Sequence, residues 1–551
     1  MSPSRADLQR TASDVFGWED FRPGQLEAME AAIEGRDVVC VMPTGAGKSA
    51  VYQVPAMALP GTAVVISPLI ALQSDQAEGI NEAVGETVAY VLNSAQPQGY
   101  WDEAWAAAGK ENGDAGRAKF LFLGPEQVAR EDVLDRLRTL EISLLVIDEA
   151  HCVSAWGHDF RPDYLQLDQL VRALKRPVVA LTATAAPPVR AEIVDVLGMR
   201  DPLQISLGFD RPNLHLAAAR HEDADDKRRC ILEQVAGLGS PGLLYVATRR
   251  DTEEYADALQ QAGLRTDAYH AGRSHTDRQS IHEQFLAGEL DVVVATTAFG
   301  MGIDKPDVRF VVHADIPDSV DSYYQEIGRG GRDGEPAEVF LHYRPEDLGI
   351  RRFFGSKSPN KEALRQIFAL LAAQEEPVSA ARIREELGLN ARHLSSILGL
   401  LEQSGAIAAV DHGYRARKTS PDKAVQAAVD FAERRRNIDS SRLEMMRQYA
   451  ESTECRRRFI LNYFGEDAPD RCGCCDNCER AAAQGEMAQA KDAEPDGPQP
   501  FPLQSRVVHK EWGPGMVMSY EEGTVTVLFE AEGYKTLSVE LVQDKDLLEP
   551  A

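Results

Sequence analysis

The sequence predicts an α/β protein in which two lobes, each built on a parallel β-sheet, precede several smaller units. From residue 38 to about residue 343, short β-branched runs alternate with helix-length segments. The runs are apolar throughout rather than at every second position, which is typical of parallel strands covered by helices on both faces. The chain of 551 residues is also too long for one core, since domains average about 150 residues.

Two groups of strand-like runs define the two lobes. The predicted strands of the first group are residues 38–41, 64–66, 120–123, 144–147 and 178–181. Those of the second group are residues 243–246, 292–294 and 310–312. The pattern pauses at residues 209–213, where we place the joint between the lobes.

The first strand ends in a glycine-rich loop at residues 42–49, which opens into a helix-like segment. Glycine lets backbone N–H groups surround phosphates, Lys48 can neutralise their charge, and the Ser49 hydroxyl can hold Mg²⁺. The strict phosphate-loop pattern has glycine where this chain has Met42, so the loop alone is also consistent with a turn that binds nothing. The candidate nucleotide-binding residues of the loop are Thr44, Gly45, Gly47, Lys48 and Ser49.

The strand at residues 144–147 runs directly into the sequence Asp-Glu-Ala-His at 148–151. Asp148 would complete the Mg²⁺ shell, and Glu149 would orient and polarise the water that attacks the triphosphate. Paired acids at a strand end are often only solvated. Two such strand ends, in this order on one chain, nevertheless indicate an ATP-driven motor.

Composition restricts the location and the partners of the protein. A net charge of −28 argues against coating DNA through bulk electrostatics, whereas local basic runs at residues 434–436 and 456–458 allow a DNA track. No apolar run approaches the roughly 20 residues that span a bilayer, and no apolar signal core is seen. We therefore expect a cytoplasmic, nucleoid-associated protein without membrane contact.

The order of motifs along residues 8–352 resembles the RecQ family of DNA helicases. The motifs are FGW at 16–18, FRPGQ at 21–25, the phosphate loop, SPL at 67–69, DEAH at 148–151, LTATA at 181–185, AFGMGIDKP at 298–306 and QEIGRGGRDG at 325–334. So many collinear motifs do not arise by chance. The resemblance implies two RecA-like lobes that close on ATP and open after its hydrolysis.

The resemblance also assigns roles around the nucleotide. Trp18 would stack on adenine and Gln25 would read its edge, with Arg22 alongside. For Trp18 the alternative is that an amphipathic N-terminal helix packs on the first lobe.

From the second lobe, Arg329 and Arg332 would reach across the cleft to the γ-phosphate, and Gln325 would contact the nucleotide or its water. Which arginine acts as the finger stays open, and either could instead be a structural ion-pair partner.

Residues 152–162 resemble the aromatic-rich loop through which RecQ helicases sense single-stranded DNA. Trp156 and Phe160 offer faces on which bases stack at about 1–3 kcal/mol each. The family usually has glutamine where this chain has Ala155, so one polar contact of the loop is in doubt. The alternative is that the aromatic rings only hold the loop on the lobe. The candidate DNA-coupling residues are Ser154, Trp156, His158, Phe160 and Arg161.

In the RecQ pattern the zinc module follows the second lobe directly, whereas here another segment intervenes. Apolar residues fall at helical spacing at 364–371 and 394–401, helices start at Ser379 and Asn390, and residues 407–417 predict a hairpin. These elements make a candidate winged helix, and a plain helical spacer or protein contact is the equal alternative. The candidate DNA contacts are Arg392, His393, Arg415 and Arg417.

Five of the eight cysteines lie between residues 455 and 478, which favours a metal site over disulfides. Four soft ligands, Cys455, Cys472, Cys475 and Cys478, predict structural Zn²⁺ in a closed tetrahedral site. The surrounding residues resemble the RecQ zinc module. Cys474 is surplus and could replace Cys475, and an iron–sulfur cluster is the minor alternative.

After residue 480 the composition turns to Ala, Gln, Asp, Glu and Pro, which predicts a flexible tether up to residue 500. The remaining residues show short strands around a turn at 512–515 and resemble the small Tudor-like β-barrels of some bacterial helicases. The acidic character of this barrel favours a protein partner over DNA. A passive stabilising cap is the alternative.

We therefore divide the chain into lobe 1 (1–207), lobe 2 (208–354), a winged-helix-like insert (355–420), a helical zinc-binding module (421–480), a linker (481–500) and a small β-barrel (501–551). The main interpretation is an ATP-, Mg²⁺- and Zn²⁺-dependent RecQ-type helicase that acts on single-stranded, forked or junction DNA in recombination or repair. Its 3′–5′ polarity comes from the resemblance alone. The alternatives are a duplex translocase that remodels protein–DNA complexes and a nucleotide-switched scaffold.

Overall fold

The computed structural model describes residues 3–551 apart from 44, 69, 94–95, 111–115, 129, 155–163, 165–166, 300–304, 350–358, 411–412, 467, 485–498 and 522. Two parallel sheets, a helical insert, a zinc-binding region and a C-terminal antiparallel sheet follow one another along the chain. This layout confirms the predicted fold class. Among the described residues, no helix has the length and apolar character needed to span a bilayer.

The first lobe carries a seven-stranded sheet whose neighbouring strands run parallel, in the order β3-β4-β2-β5-β6-β1-β7 as numbered below. Its strands are β1 Val38–Val41, β2 Thr62–Ile66, β3 Ala89–Leu92, β4 Phe120–Leu123, β5 Ile142–Ile147, β6 Val178–Thr182 and β7 Leu203–Ser206. Its helices are α1 Arg5–Phe16, α2 Gln25–Ile33, α3 Ala50–Ala58, α4 Ile70–Val84, α5 Gln98–Ala108, α6 Pro125–Val128, α7 Glu131–Thr139, α8 Leu167–Leu174 and α9 Pro187–Leu197. A short 3₁₀ turn spans Ala150–Val153.

The second lobe repeats this plan with a six-stranded parallel sheet in the order β10-β11-β9-β12-β13-β8. Its strands are β8 Leu214–Arg220, β9 Gly242–Tyr245, β10 Thr266–Tyr269, β11 Val292–Ala295, β12 Phe310–His313 and β13 Ala337–Tyr343. Its helices are α10 Ala224–Gly237, α11 Arg249–Gln261, α12 His275–Leu286 and α13 Val320–Ile327.

Both faces of the first sheet are covered, as its continuous apolar runs predict. In β1, Val39 and Val41 belong to one apolar core, whereas Val38 and Cys40 belong to another. All four residues are buried. A strand covered on both sides must be apolar at every position, which is why the central strands could be predicted from the sequence.

The strands of the two lobes that the sequence pattern did not predict are β3, β7, β8, β10 and β13. Four of these five are the outermost strands of their sheets. An edge strand has one neighbour and tolerates polar or exposed residues. In β7 only one of four residues is buried, and in β10 buried and half-buried residues alternate.

The insert consists of α14 Lys361–Ala372, α15 Ala380–Leu387, α16 Ala391–Gln403 and a hairpin of β14 Ile407–Val410 and β15 Gly413–Ala416. The helices start where the caps predict: Ser379 accepts a hydrogen bond from the Arg382 N–H, and Asn390 accepts one from the His393 N–H at 2.8 Å. These elements share an apolar core of their own.

The long helix α17, Pro421–Glu451, connects the insert to the rest of the protein. Val425, near its start, lies in the core of the insert. Tyr449, near its end, lies in the main apolar core with residues of both lobes. Its 31 residues extend over about 46 Å at 1.5 Å per residue, so one helix reaches both units.

The C-terminal strands β16 Arg506–His509, β17 Gly513–Glu521, β18 Thr524–Phe529, β19 Gly533–Ser538 and β20 Leu548–Pro550 form an antiparallel sheet in the order β19-β18-β17-β16-β20, with α20 Val539–Asp544 beside it. The zinc-binding region before it contains α18 Arg456–Tyr463 and α19 Asp476–Ala483. The C-terminal sheet packs on the body of the protein. Leu528 belongs to the main core, and the Tyr534 ring stacks on Tyr463 at 5.4 Å.

Candidate nucleotide-binding cleft and zinc cluster

The glycine-rich loop joins β1 to α3, at the carboxyl edge of the first sheet. Gly45 and Gly47 adopt positive φ angles of 84° and 78°, a region that favours glycine. Ser49 is the residue before α3 and is half-buried. Thr44 lies outside the described residues. The loop thus has the backbone conformation in which successive N–H groups can face an anion.

Two side chains hold this loop: Arg22, which precedes α2, and Gln25, the first residue of α2. The Arg22 guanidinium donates a hydrogen bond to the Gly45 carbonyl. The Gln25 amide, itself buried, donates to the carbonyls of Ala46 at 3.2 Å and Gly47 at 2.8 Å. A Cβ at Gly47 would come within 2.7 Å of Gln25 Nε2, so a side chain there would displace the Gln25 amide as well as strain the backbone. The structure therefore brings Arg22 and Gln25 to the phosphate loop.

Trp18 is half-buried and stacks on Phe16, with ring centroids 4.6 Å apart and planes at 16°. It packs against the small apolar core that Leu8 and Val54 share. This is the arrangement of the alternative given for Trp18, in which the N-terminal helix packs on the lobe.

Lys48, Asp148 and Glu149 form a charged group beneath the loop. Burial lowers the pKa of Lys48, while the Glu149 and Asp148 carboxylates oppose this shift. Burial raises the pKa of Asp148 to about 6, the Glu149 carboxylate adds to the rise, and Lys48 opposes it. These mutual effects place the three predicted catalytic groups in one desolvated site.

The backbone at Glu149 is unusual. Its φ of 48° and ψ of 47° lie in the left-handed region, which costs a non-glycine residue about 1–3 kcal/mol. The Glu149 N–H donates to Asp148 Oδ1 at 3.0 Å, which helps to fix this conformation. The strained turn places two successive carboxylates at the end of β5, which is the arrangement that the site requires.

Two side chains around Asp148 were not predicted from the sequence. Gln76 Nε2 lies 3.5 Å from Asp148 Oδ2, and the Tyr164 hydroxyl donates to the Asp148 carbonyl at 3.1 Å. Gln76 also accepts a hydrogen bond from the Tyr52 hydroxyl at 3.2 Å. Tyr52 and Gln76 belong to α3 and α4, whose amphipathic patterns gave no signal for a role at a metal-binding carboxylate.

The residues after the two acids connect the site to other parts of lobe 1. His151 Nδ1 lies 2.9 Å from the Thr182 hydroxyl, at the end of β6 in the LTATA motif. The Ser154 hydroxyl donates to the Glu192 carboxylate on α9. Of the predicted DNA-coupling residues only Ser154 is described, and Trp156, His158, Phe160 and Arg161 lie outside the described residues.

The second lobe brings Arg332 to the phosphate loop. A Cβ added at Gly45 would lie 3.4 Å from Arg332 Cδ, and the Arg332 charge contributes to the lowered pKa of Lys48. Arg329 is buried at 4% exposure, and its charge acts on the buried Tyr245 hydroxyl. Gln325 is half-buried on α13 of the same lobe. In this conformation Arg332 approaches the loop and Arg329 lies deeper in lobe 2.

Two residues of the joint between the lobes support the arginine segment. Arg211 donates to the carbonyls of Gly328 at 3.1 Å and Gly330 at 2.7 Å. Asn213 Nδ2 donates to the Gly331 carbonyl at 2.8 Å. The joint was predicted at these residues, but this contact was not, because sequence spacing does not show which distant loop a linker touches.

The predicted zinc ligands come together. The Sγ atoms of Cys455, Cys472, Cys475 and Cys478 all lie within 4.8 Å of one another, and those of Cys472 and Cys478 are 4.0 Å apart. Tetrahedral Zn²⁺ with bonds of about 2.3 Å requires sulfur atoms about 3.8 Å apart, so the four thiols fit the ion. The Cys472 N–H donates to Cys455 Sγ at 3.3 Å, as expected beside a thiolate ligand.

The zinc-binding region is fastened to the edge strand of lobe 2. Cys475 forms an isolated parallel bridge with Leu216 of β8, and Asp476 accepts a hydrogen bond from the Ala218 N–H at 3.1 Å. Asp476 also forms a two-pronged ion pair with Arg456, at 2.5 and 2.9 Å. One carboxylate therefore joins the zinc ligands, the helix after Cys455 and the second sheet.

The same region contacts the joint between the lobes. Phe464, directly after α18, stacks on Phe209 with centroids 4.1 Å apart and planes at 8°. Glu466 accepts a hydrogen bond from the Phe209 N–H at 2.8 Å. From lobe 2, the Tyr324 hydroxyl donates to the Phe209 carbonyl at 3.0 Å. The joint is thus enclosed by the zinc-binding region and by α13, which carries Gln325.

The paired sheets and the cleft define an ATP-dependent helicase motor of two lobes, and family models agree. Residues 22–192 match the DEAD/DEAH box helicase domain, 226–334 the helicase conserved C-terminal domain and 417–479 the RecQ zinc-binding domain. By fold, the chain is similar to the DUF1998 helicase MrfA solved bound to DNA, at 19% identity and a TM-score of 0.53 over 76% of this chain and 64% of that one.

The chain belongs to the RecQ family of ATP-dependent DNA helicases. It is 34% identical to the probable ATP-dependent DNA helicase RecS of Bacillus subtilis over 86% of this chain and 92% of that protein. It is 35% identical to the ATP-dependent DNA helicase RecQ of the same organism over 85% of this chain. The chain spans 66% of the length of that RecQ.

Proposed function

We propose that this protein couples ATP hydrolysis in the cleft to 3′–5′ movement along single-stranded DNA and to separation of the duplex ahead, in recombination or repair at the nucleoid. The observation that carries the proposal is the approach of Arg332 from lobe 2 to Gly45 of the lobe 1 loop, above Lys48 and the paired carboxylates. A site shared between two lobes changes their spacing when its ligand changes, which is what a translocating motor requires.

Each charged group has a defined task in this proposal. Lys48 neutralises the β- and γ-phosphates, and the glycine N–H groups of the loop bind their oxygens. Glu149 orients the attacking water and accepts its proton. Arg332 stabilises the charge that develops on the transferred phosphoryl group, and Arg329 supports it from within lobe 2.

Mg²⁺ would be held by the Ser49 hydroxyl and Asp148. Burial penalises the Asp148 charge and raises its pKa, so a cation beside this carboxylate would relieve that penalty. When bound, the ion would neutralise phosphate charge. Gln76, 3.5 Å away, helps to orient Asp148.

We propose that the segment from Glu149 to the aromatic-rich loop connects hydrolysis to DNA. In this segment His151 contacts Thr182, and Ser154, near the start of the loop, donates a hydrogen bond to Glu192. We propose that bases stacked on Trp156 and Phe160 of this loop bias the position of Glu149 through that segment. The C-terminal sheet would hold a protein partner.

Forked DNA with a 3′ tail, a 5′ tail or no tail tests this function, together with ATP turnover on single-stranded and duplex DNA. We expect strand separation only with the 3′ tail. ATP turnover stimulated by duplex DNA, without strand separation, would instead indicate a remodelling translocase. Turnover that ignores DNA would indicate a nucleotide-switched scaffold and overturn the proposal.

A Trp156→Ala variant tests the coupling loop. We expect it to lower DNA-stimulated ATP turnover while basal turnover stays close to that of the parent, because the proposed role of the ring is to stack on DNA bases. Equal loss of both activities would show that the ring only holds the lobe together.

A further inference from the structure

Three potential metal ligands meet in lobe 2, away from the cleft and from the four-cysteine cluster. His221 directly follows β8, His342 lies on the neighbouring strand β13, and Cys230 lies on α10. One ligand atom from each lies within 4.8 Å of the others. His221 Nε2 and His342 Nδ1 are 2.9 Å apart. The backbone N–H of His221 donates to the Tyr343 carbonyl at 2.8 Å, which fixes the backbone beside His342.

The His342 ring is oriented as in a metal site. Its Nε2 lies 2.6 Å from Gln234 Oε1, an atom that can only accept a hydrogen bond. His342 Nε2 therefore carries the proton, and the Nδ1 lone pair faces His221 Nε2. A metal-ligating histidine almost always donates its other ring N–H to such an oxygen. Gln234 lies one helical turn after Cys230, so α10 supplies both a ligand and the residue that orients another.

The site is accessible from solvent on one side. His342 is buried at 2% exposure, whereas Cys230 is exposed, so an ion can enter from solvent against a fixed wall. The nearby Lys227 ammonium is paired with Asp315 at 3.0 Å and Asp347 at 2.6 Å. Asp347 also pairs with Arg344 at 3.2 Å, so the two cations and the two carboxylates balance one another beside the site.

We propose that His221, Cys230 and His342 form a second metal site that binds Zn²⁺, with water in the fourth position. Two imidazoles and one thiolate are ligands that zinc prefers, and three protein ligands leave one position open. Bonds of about 2.0–2.1 Å in a tetrahedral ion place two nitrogens about 3.3 Å apart. The two rings need to separate by only a few tenths of an ångström.

The position of the site suggests what the ion does. Strand β8 is an edge strand, and its middle is fastened to the four-cysteine region by the contact between Leu216 and Cys475. An ion at His221 would tie the far end of β8 to β13 and α10. The middle and the far end of this edge strand would then be held, which stabilises lobe 2 without any part in ATP turnover.

Zinc content tests the proposal on the full chain. Protein equilibrated with micromolar free Zn²⁺ and then desalted is expected to hold two zinc ions per chain, and Cys230→Ser to hold one. His275→Gln, which removes an exposed histidine from α12 of the same lobe, is the matched control and should hold two. Retention of one ion by Cys230→Ser shows that the four-cysteine site is intact.

Cobalt provides a second readout. With zinc kept in the four-cysteine site, Co²⁺ bound in the proposed site should give a thiolate-to-metal absorption band that is lost in Cys230→Ser. The Gln234→Ala variant should bind Co²⁺ roughly 10–100-fold more weakly than the parent. One zinc per chain in the parent protein, or a cobalt band that Cys230→Ser leaves unchanged, would overturn the proposal. Neither measurement depends on helicase activity.

Discussion

The zinc-binding region and the insert both follow lobe 2, and both pack on the long helix α17, yet they attach to the motor in different ways. Phe464 and Leu461 of the zinc-binding region lie in the main apolar core together with Leu214 of lobe 2 and Ile147 of lobe 1. The insert buries residues such as Phe368 in a separate core, whose other members among the described residues lie at the start of α17.

This difference in attachment indicates which accessory unit can influence the cleft. The zinc-binding region contacts the joint at Phe209 and the edge strand β8, so we expect its movement to change the relation between the lobes. Damage to the insert is confined to its own core. We expect a graded response, from changes in the zinc-binding region that disable the motor to changes in the insert that leave it intact.

The largest effect is expected for Asp476→Ala. It leaves the buried Arg456 guanidinium unpaired, and loss of one partner of a buried pair costs about 3–5 kcal/mol. The temperature of thermal unfolding, the zinc content and the rate of ATP turnover should all fall. Asp470→Ala is the matched control, since the Arg458–Asp470 pair is solvent-exposed and such pairs contribute up to about 1 kcal/mol. Equal losses of thermal stability, zinc and ATP turnover in the two variants would show that the buried pair of Asp476 contributes no more than the pair of Asp470.

A smaller effect is expected for Phe464→Leu, which keeps most of the volume and removes the stack on Phe209. A double-mutant cycle with Phe209→Leu should give a coupling energy of about 1 kcal/mol. DNA-stimulated ATP turnover should fall more than basal turnover, because the joint transmits lobe movement. Phe459→Leu, on the helix that ends just before Phe464 but against Tyr449, is the control. No coupling energy would show that the stack is incidental.

The smallest effect on the motor is expected for Phe368→Ala. This residue is fully buried in the insert core, and such a truncation costs about 3–5 kcal/mol locally. Hydrogen exchange should accelerate in residues 361–416, while ATP turnover stays within about twofold of the parent because the cores are separate. A large loss of ATP turnover would show that the insert communicates with the cleft.

The sequence predicted the interior of the fold better than its margins. Central strands such as β5 are apolar at nearly every position because both faces are covered, and that pattern is visible in one dimension. Edge strands such as β7 carry exposed polar residues and resemble loops. The docking of the C-terminal sheet could not be predicted, because the contact of Tyr534 with Tyr463 joins residues that only the tertiary fold brings together.

The site shows the same division. Lys48, Asp148, Glu149 and the four cysteines were predicted because their chemistry requires fixed types at fixed spacings. Gln76, Arg211 and Phe464 were not, because they act by positioning another group, and many residue types at many places can do so. The roles of the predicted nucleotide- and DNA-contacting residues stay predictions until variants are measured.

The central claim is that ATP hydrolysis between the lobes drives separation of DNA strands. The most direct measurement is strand separation by Glu149→Gln, which keeps the size of the side chain and removes its charge. We predict nucleotide binding close to that of the parent and strand separation slower by at least about 100-fold. Strand separation at the parental rate would contradict the account.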